Sequence, residues 1–282
     1  MKPLKLLFVR HAQSIGNQQK RMQGQGEFEL SDEGKHQAEK LAQRLFNEGW
    51  RPSYIYTSPL KRTVQTTEIL LARFLIDPLP SNISDLIDGE GDGPIEKLVP
   101  LTGDASRLVE PDRIPEPHPP TEVALAHPTQ TFQTRDGDIT VEYADELQEH
   151  QNGIFQGLTW AEAREKYPDL CHTLESSPDW IPIPGAESLQ AARNRSHQFI
   201  QRLLARHTNG EQIWIITHSW IVQHLISELM GCDRSWRLHA HNTALFEFWI
   251  DRSRWQRTDQ NRFNTDLWQI RRLNDYSHLG NG

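Results

Sequence analysis

Three times in this chain an apolar run rich in β-branched or aromatic residues stops at a tight polar junction and gives way to a helical pattern. These are "LKLLFV" before Arg10-His11, "SYIYT" before Ser58-Pro59, and "IWIIT" before His218-Ser219. Continuous apolar runs of this length suit strands covered on both faces, as in a sheet with helices packed on either side. The repeated strand-to-helix order predicts an α/β fold, a three-layer α/β/α sandwich around a mostly parallel sheet.

The helices between these runs carry their own signals. In "LSDEGKHQAEKLAQRL", Ser31 offers an N-cap and Asp32 and Glu33 sit in the first turn, where the helix dipole favours acids. Ala38, Leu41, Ala42 and Leu45 then share one face, and Gly49 ends the helix. In "SPLKRTVQTTEILLARFL", Ser58 reads as the cap and Pro59 as the first helical residue, which puts Arg62 in or just after the first turn. Further helices are expected from about Glu187 to Arg206 and from Trp220 to Met230.

The stretch from about Pro78 to Gln133 breaks this rhythm with "GEGDG" and the proline-dense "EPDRIPEPHPPTEVALAHP", compositions that disfavour regular helix and central strand. Leu86, Ile95, Leu98, Val99, Leu101 and Leu108 are apolar enough to pack. An irregular insertion over 77–139, forming a cap or lid within a single domain spanning 1–282, is therefore expected. Asp136-Gly137 inside "TFQTRDGDITVEY" signals a two-residue hairpin at its end.

A net charge of −8 argues against a nucleic-acid binder or an anionic-membrane binder, so any anion must be held by a local cluster. Two cysteines, Cys171 and Cys232, are too few for a disulfide framework or a cysteine-rich zinc site, and they suit a reducing compartment. The apolar stretch Leu4 to Val9 is far shorter than a signal-peptide core, and no stretch is long enough to span a membrane. A cytoplasmic location is expected.

Ligands of open α/β sheets sit beyond the carboxyl ends of the strands. Arg10, His11, Arg62 and His218 all fall there, and together with helix N-termini they would form a receptor for phosphate.

At this point the chain resembles the histidine phosphatase (phosphoglycerate-mutase-like) superfamily. The stretches that carry the likeness are "RHAQSIGN", "QGQGEFELSDEGKHQAEKLA", "TSPLKRTVQTTEIL", "LQEHQNGIFQGLTWAEAREKYPD", "PGAESLQ", "THSWIVQHLISELMG" and "HNTALFEF". The resemblance implies that His11 takes a phosphoryl group as nucleophile. Arg10, Arg62 and His218 would complete the phosphate pocket, and Asn17, Gln23 and Ser219 would be further phosphate or substrate contacts. Glu149 would be the proton donor, with Glu142, Asp145 and Glu146 as nearby carboxylates if the strand register differs. A neutral imidazole can attack phosphorus without a metal, and fixed guanidinium and N–H donors can hold the charge on the equatorial oxygens.

Two positions depart from the family pattern: Ala12 stands where glycine is usual, so a methyl is expected to crowd the loop, and Gln156 stands where glutamate is frequent. His239 and His241 share a spacing that suits one face of a strand, but with no third ligand a polar surface or substrate-rim role is favoured over a metal site. His278 reads as structural, and the nine tryptophans as packing of the core and the insertion rather than a stacking platform.

The reading is a metal-independent phosphatase of a small phosphorylated metabolite, on the phosphatase branch of the superfamily, with no cofactor, no metal, no nucleic acid and no membrane; a homodimer is compatible with it. A mutase that returns the group to its product and a non-catalytic phosphate-binding protein are the alternatives. The acidic, proline-rich insertion is expected to lie over the pocket mouth and select against highly anionic ligands.

Overall fold

The computed structural model describes residues 2–75 and 128–280. Strand β1 (Leu4–Arg10) leads through a one-turn helix α1 (Ile15–Gln18) to α2 (Asp32–Asn47), β2 (Tyr54–Thr57) and α3 (Lys61–Ala72). Next come the hairpin β3 (Thr129–Thr134) and β4 (Gly137–Tyr143), then α4 (Trp160–Lys166), α5 (Pro168–Ser176) and α6 (Leu189–Arg206). The chain ends with β5 (Gln212–Thr217), α7 (Ser219–Leu229), β6 (Leu245–Ile250) and β7 (Trp268–Asp275).

The strands form one seven-stranded sheet in the order β3-β4-β2-β5-β1-β6-β7. The inner strands β4, β2, β5 and β1 run parallel, as the continuous apolar runs predict, while β3 on one side and β6 and β7 on the other are antiparallel additions. Alternation along β1 sends its side chains to two cores. Leu6 and Phe8 pack with Phe199 and Leu203 of α6 and with Val222 and Leu225 of α7. Leu7 and Val9 pack with Leu41 and Leu45 of α2 and with Val64 and Leu70 of α3. The sheet is thus sandwiched between two helical layers, and each fully buried Leu or Phe contributes about 1.5–3 kcal/mol.

Helix α2 begins as its residues dictate: the Ser31 hydroxyl accepts the Gly34 N–H, Asp32 and Glu33 fill the first turn, and Gly49 follows the C-cap at φ +77°. Helix α6 starts at Ser188, whose hydroxyl accepts the Ala191 N–H, and buries Ala192, Ser196, Phe199, Ile200, Leu203 and Leu204 along one stripe. Helix α3 departs from expectation. It starts at Lys61, with Leu60 rather than Ser58 at the cap position and no side-chain cap. The Ser58 hydroxyl lies too far upstream to cap an N–H within α3: it accepts the Leu60 N–H at 3.3 Å and is engaged by His218 beyond the carboxyl end of β5.

The hairpin also shifts by one residue. Thr134 pairs with Gly137, so the two turn residues are Arg135 and Asp136, and Gly137 opens β4 at φ +123°, a conformation open to a residue without Cβ. Of the insertion expected over 77–139, residues 129–139 belong to this sheet edge, because the alternating pattern of β3 pairs along β4; the cap, and the apolar residues assigned to it, lie outside the described residues. Among the described residues, no helix is long and apolar enough to cross a membrane.

Candidate active site

Register brings the predicted residues together. Arg10 pairs with Thr217 across the β1–β5 ladder, and the His11 N–H donates to the Thr217 carbonyl at 2.9 Å, so the residues that follow the two strands, His11 and His218, emerge side by side. Their ring centroids lie 5.0 Å apart at an interplanar angle of 59°. On the other flank of β5 the Ser58 N–H donates to the Ile216 carbonyl, which places the β2–α3 junction against His218.

Hydrogen bonds set the tautomers of both imidazoles. Nδ1 of His11 lies 2.7 Å from the Ala12 carbonyl, which can only accept, so Nδ1 carries the proton and Nε2 keeps its lone pair. In His218 the order is reversed. Arg62 Nε can only donate, at 3.2 Å, to His218 Nδ1, so the proton sits on Nε2, which donates to the Ser58 hydroxyl at 2.9 Å. Burial, followed by the neighbouring Arg62 guanidinium, holds both imidazoles well below the usual histidine range, so both are neutral at pH 7.

Arg62 is buried in the first turn of α3, where a cation opposes the helix dipole. It is held by the carbonyls of Gly24 at 2.7 Å and Gly26 at 2.8 Å in addition to His218. Burial pushes its pKa down to about 10, still cationic at neutral pH. The Gln156 side-chain oxygen braces the loop that supplies these carbonyls by accepting the Gln25 N–H. Arg10 donates to the Ala240 carbonyl at 2.5 Å, and its Nε is buried with no hydrogen-bond partner among the described residues. Burial lowers its pKa too, and nearby Glu149 acts in the opposite direction.

Glu149 follows β4 through the short turn Asp145–Leu147 and turns its carboxylate to the start of α7. One oxygen accepts from the Ser219 hydroxyl at 3.2 Å and from the Trp220 N–H at 3.3 Å. The alternative carboxylates are elsewhere. Glu142 is buried with Tyr54, Arg202 and Arg206; Glu146 pairs with Arg202; and Asp145 accepts from Gln148.

Asn17 and Gln23 shape the loop after His11. The Asn17 carbonyl oxygen accepts the Ser14 N–H at 3.1 Å, and the single proton of the Ser14 hydroxyl goes to the Gln23 oxygen, the nearer acceptor at 2.7 Å. Asn242, which sequence reasoning did not single out, bridges this loop to the site by donating to the His11 carbonyl at 3.0 Å and to Asn17 at 3.3 Å. Its only signal was a place in "HNTALFEF" just before β6. Ser58, a cap residue by its sequence context, is likewise the partner of His218.

Ala12 does not crowd the loop. Its methyl packs with Leu30, Ala38 and Ile69, and its N–H donates to Thr66 at 3.1 Å. His241 stacks on Tyr276 with centroids 3.9 Å apart, and among the described residues no group of three His, Cys, Asp or Glu is placed to hold a metal. His278 bonds Thr243 at 2.8 Å, in line with a structural role. The tryptophans do not all pack inside: Trp50 and Trp214 are buried, but Trp160, Trp180, Trp220 and Trp236 are exposed.

A buried and a partly buried guanidinium group facing two neutral imidazoles, one with a free ring nitrogen, suit an incoming phosphate dianion. The family model of the histidine phosphatase superfamily (branch 1) matches residues 6–82 and 126–262, which include every one of these groups. The chain belongs to that superfamily.

Superfamily relatives carry more than one activity in their names. The chain is 25% identical over 275 residues to phosphoglycerate mutase-like protein 4 of Arabidopsis thaliana, across 97% of this chain and 86% of the relative. It is 26% identical over 244 residues to phosphoserine phosphatase 1 of Hydrogenobacter thermophilus, across 86% and 84%. The structure of the α-ribazole phosphatase from Shigella flexneri superposes with a TM-score of 0.58 at 18% identity, covering 97% of each chain, which shows the shared histidine phosphatase fold.

Proposed function

We propose that the protein is a metal-independent phosphatase that hydrolyses a small phosphorylated metabolite through phospho-His11. The observation that carries this reading is the tautomer of His11: a proton fixed on Nδ1 by the Ala12 carbonyl leaves the Nε2 lone pair as a nucleophile without any base to activate it.

In the first step Nε2 attacks phosphorus, the bond from phosphorus to the ester oxygen breaks, and the departing alkoxide takes the proton of the Glu149 carboxyl. Arg10, Arg62, His218 and the Ser219 N–H at the start of α7 hold the equatorial oxygens, the His218 Nε2–H exchanging the Ser58 hydroxyl for a phosphate oxygen when the ester binds. The first N–H groups of a helix have no acceptor within it, which leaves that of Ser219 for the ligand. In the second step water attacks phosphorus, Glu149 takes its proton, the P–N bond breaks, and inorganic phosphate leaves with His11 restored. Asn17 and Gln23 hold the loop geometry between the two steps.

Similarity to a phosphoserine phosphatase supports hydrolysis. Similarity to a phosphoglycerate mutase-like protein keeps the mutase as the second reading, in which phospho-His11 returns its group to bound product. A generic phosphomonoester in the presence of a chelator separates them. Hydrolysis predicts steady phosphate release that is lost in His11→Ala. A phosphoenzyme that persists until an acceptor is added would establish the mutase instead, and activity surviving His11→Ala would overturn both.

A further inference from the structure

Three of the exposed tryptophans converge on one pocket. Trp180 from the α5–α6 connection, Trp220 from the first turn of α7 and Trp236 from the α7–β6 connection line a cavity of about 610 Å³, with 50%, 44% and 62% of their surface exposed. The Trp180 and Trp220 rings meet at 6.2 Å and 62°. Indole faces left in water are unfavourable unless something covers them, and a concentration of them in a concave site marks a binding surface.

The pocket adjoins the active site. Ser219 and Trp220, which line it, are the residues that hold the Glu149 carboxylate, and Ala240, also in its lining, accepts the Arg10 hydrogen bond. A phosphoryl group seated between Arg10 and His11 would therefore direct the ester oxygen, next to its proton donor, toward the tryptophans. A three-carbon alcohol would leave most of this volume to water.

We infer that the pocket formed by Trp180, Trp220 and Trp236 binds the leaving alcohol and selects phosphomonoesters whose alcohol carries a planar aromatic or heteroaromatic ring. The inference rests on the phosphatase reading above. Flat rings gain from indoles at offset or edge-on geometry in a way that aliphatic chains and small polar alcohols do not.

The test compares kcat/KM for 2-phenylethyl, 2-cyclohexylethyl and ethyl phosphate, whose alcohols have similar acidity, so that leaving-group chemistry is matched. The expected order is phenyl above cyclohexyl above ethyl, with phenyl at least about threefold over cyclohexyl. Adenosine 5′-monophosphate serves as the heteroaromatic arm: a rate above that of 2-phenylethyl phosphate assigns the pocket to a base, and one below it to a carbocyclic ring. In Trp236→Ala and Trp180→Ala the phenylethyl-to-ethyl ratio should fall at least about threefold, and a ratio does not depend on how much of the variant folds. Equal rates for the three esters, or a ratio unmoved by both variants, would overturn the assignment.

If none of the esters is turned over, the phosphatase reading fails while the pocket remains testable by calorimetry. The ring-bearing 2-phenylethylphosphonate should then bind at least about tenfold more tightly than ethylphosphonate, and equal affinities would again overturn the assignment.

Discussion

Arg62 donates to two glycine carbonyls and to His218, so one guanidinium sets both the loop over the site and the tautomer of the second histidine. An ammonium has no planar fork with which to make these bonds together. Arg62→Lys should lower kcat/KM by about a hundredfold or more, read with any turned-over ester; a loss below about threefold would contradict the geometry. Glu149→Gln tests the proton donor by leaving-group dependence. It should cost about 10²–10⁴ in kcat/KM, which reports transfer to His11 alone, for an alkyl ester and far less for p-nitrophenyl phosphate, whose leaving group needs no proton. Equal losses on both would assign Glu149 a merely structural place. Arg10, His11, Arg62 and His218 were legible because each stands at a strand or helix end that its own neighbours announce. Ser58, Asn242 and the carbonyls of Gly24 and Gly26 were not, because their roles exist only once distant segments close on one another.

The loop after β1 is braced by α2, and one glycine decides how closely. A Cβ at Gly34 would stand 1.9 Å from the Gln13 carbonyl, two residues beyond His11. Gly34→Ala should therefore destabilise the fold by about 1–3 kcal/mol in urea unfolding and reduce turnover as the loop shifts. Gly49 offers the contrast: its φ is +77° and nothing lies within 4 Å of an added Cβ, so alanine there should cost only about 1 kcal/mol and leave turnover intact. The reverse ranking would show that α2 does not brace the site. At this scale the sequence spoke through caps and stripes, as at Ser31 and Ser188. It misled where a capping residue type had a tertiary partner, as at Ser58, and where a turn could shift by one residue, as at Gly137.

Across the molecule, buried and half-buried histidines are held in neutral form on both sides of the sheet. Burial pushes His224 and His278 down to about 4, and it also lowers His207, His11 and His218. In the unfolded chain each takes up a proton near pH 6.5. Between pH 6.5 and about 4 the unfolded state thus binds more protons than the folded one. This part of the stability is complete above about pH 6.5 and declines as pH falls, by up to about 1.4 kcal/mol per pH unit for each histidine. Urea midpoints should fall from pH 7 to pH 5, and an unchanged midpoint would contradict burial of these rings in neutral form. The sandwich itself was legible from three apolar runs and their helices. Of the antiparallel edges, the β3–β4 hairpin was announced by its turn, one residue off, but the β6–β7 edge was not, because a strand such as β7, with Ile270 and Leu273 exposed, lacks the continuous burial that marks the central strands.

The central claim is that phosphate passes through His11, and rapid quenching of the enzyme with phosphoryl-labelled substrate tests it most directly. A protein-bound label that forms within one turnover, survives alkali, is lost in acid, maps to His11 and is missing from His11→Ala is the predicted result. Release of phosphate with no such intermediate, or a label on any other side chain, would contradict it.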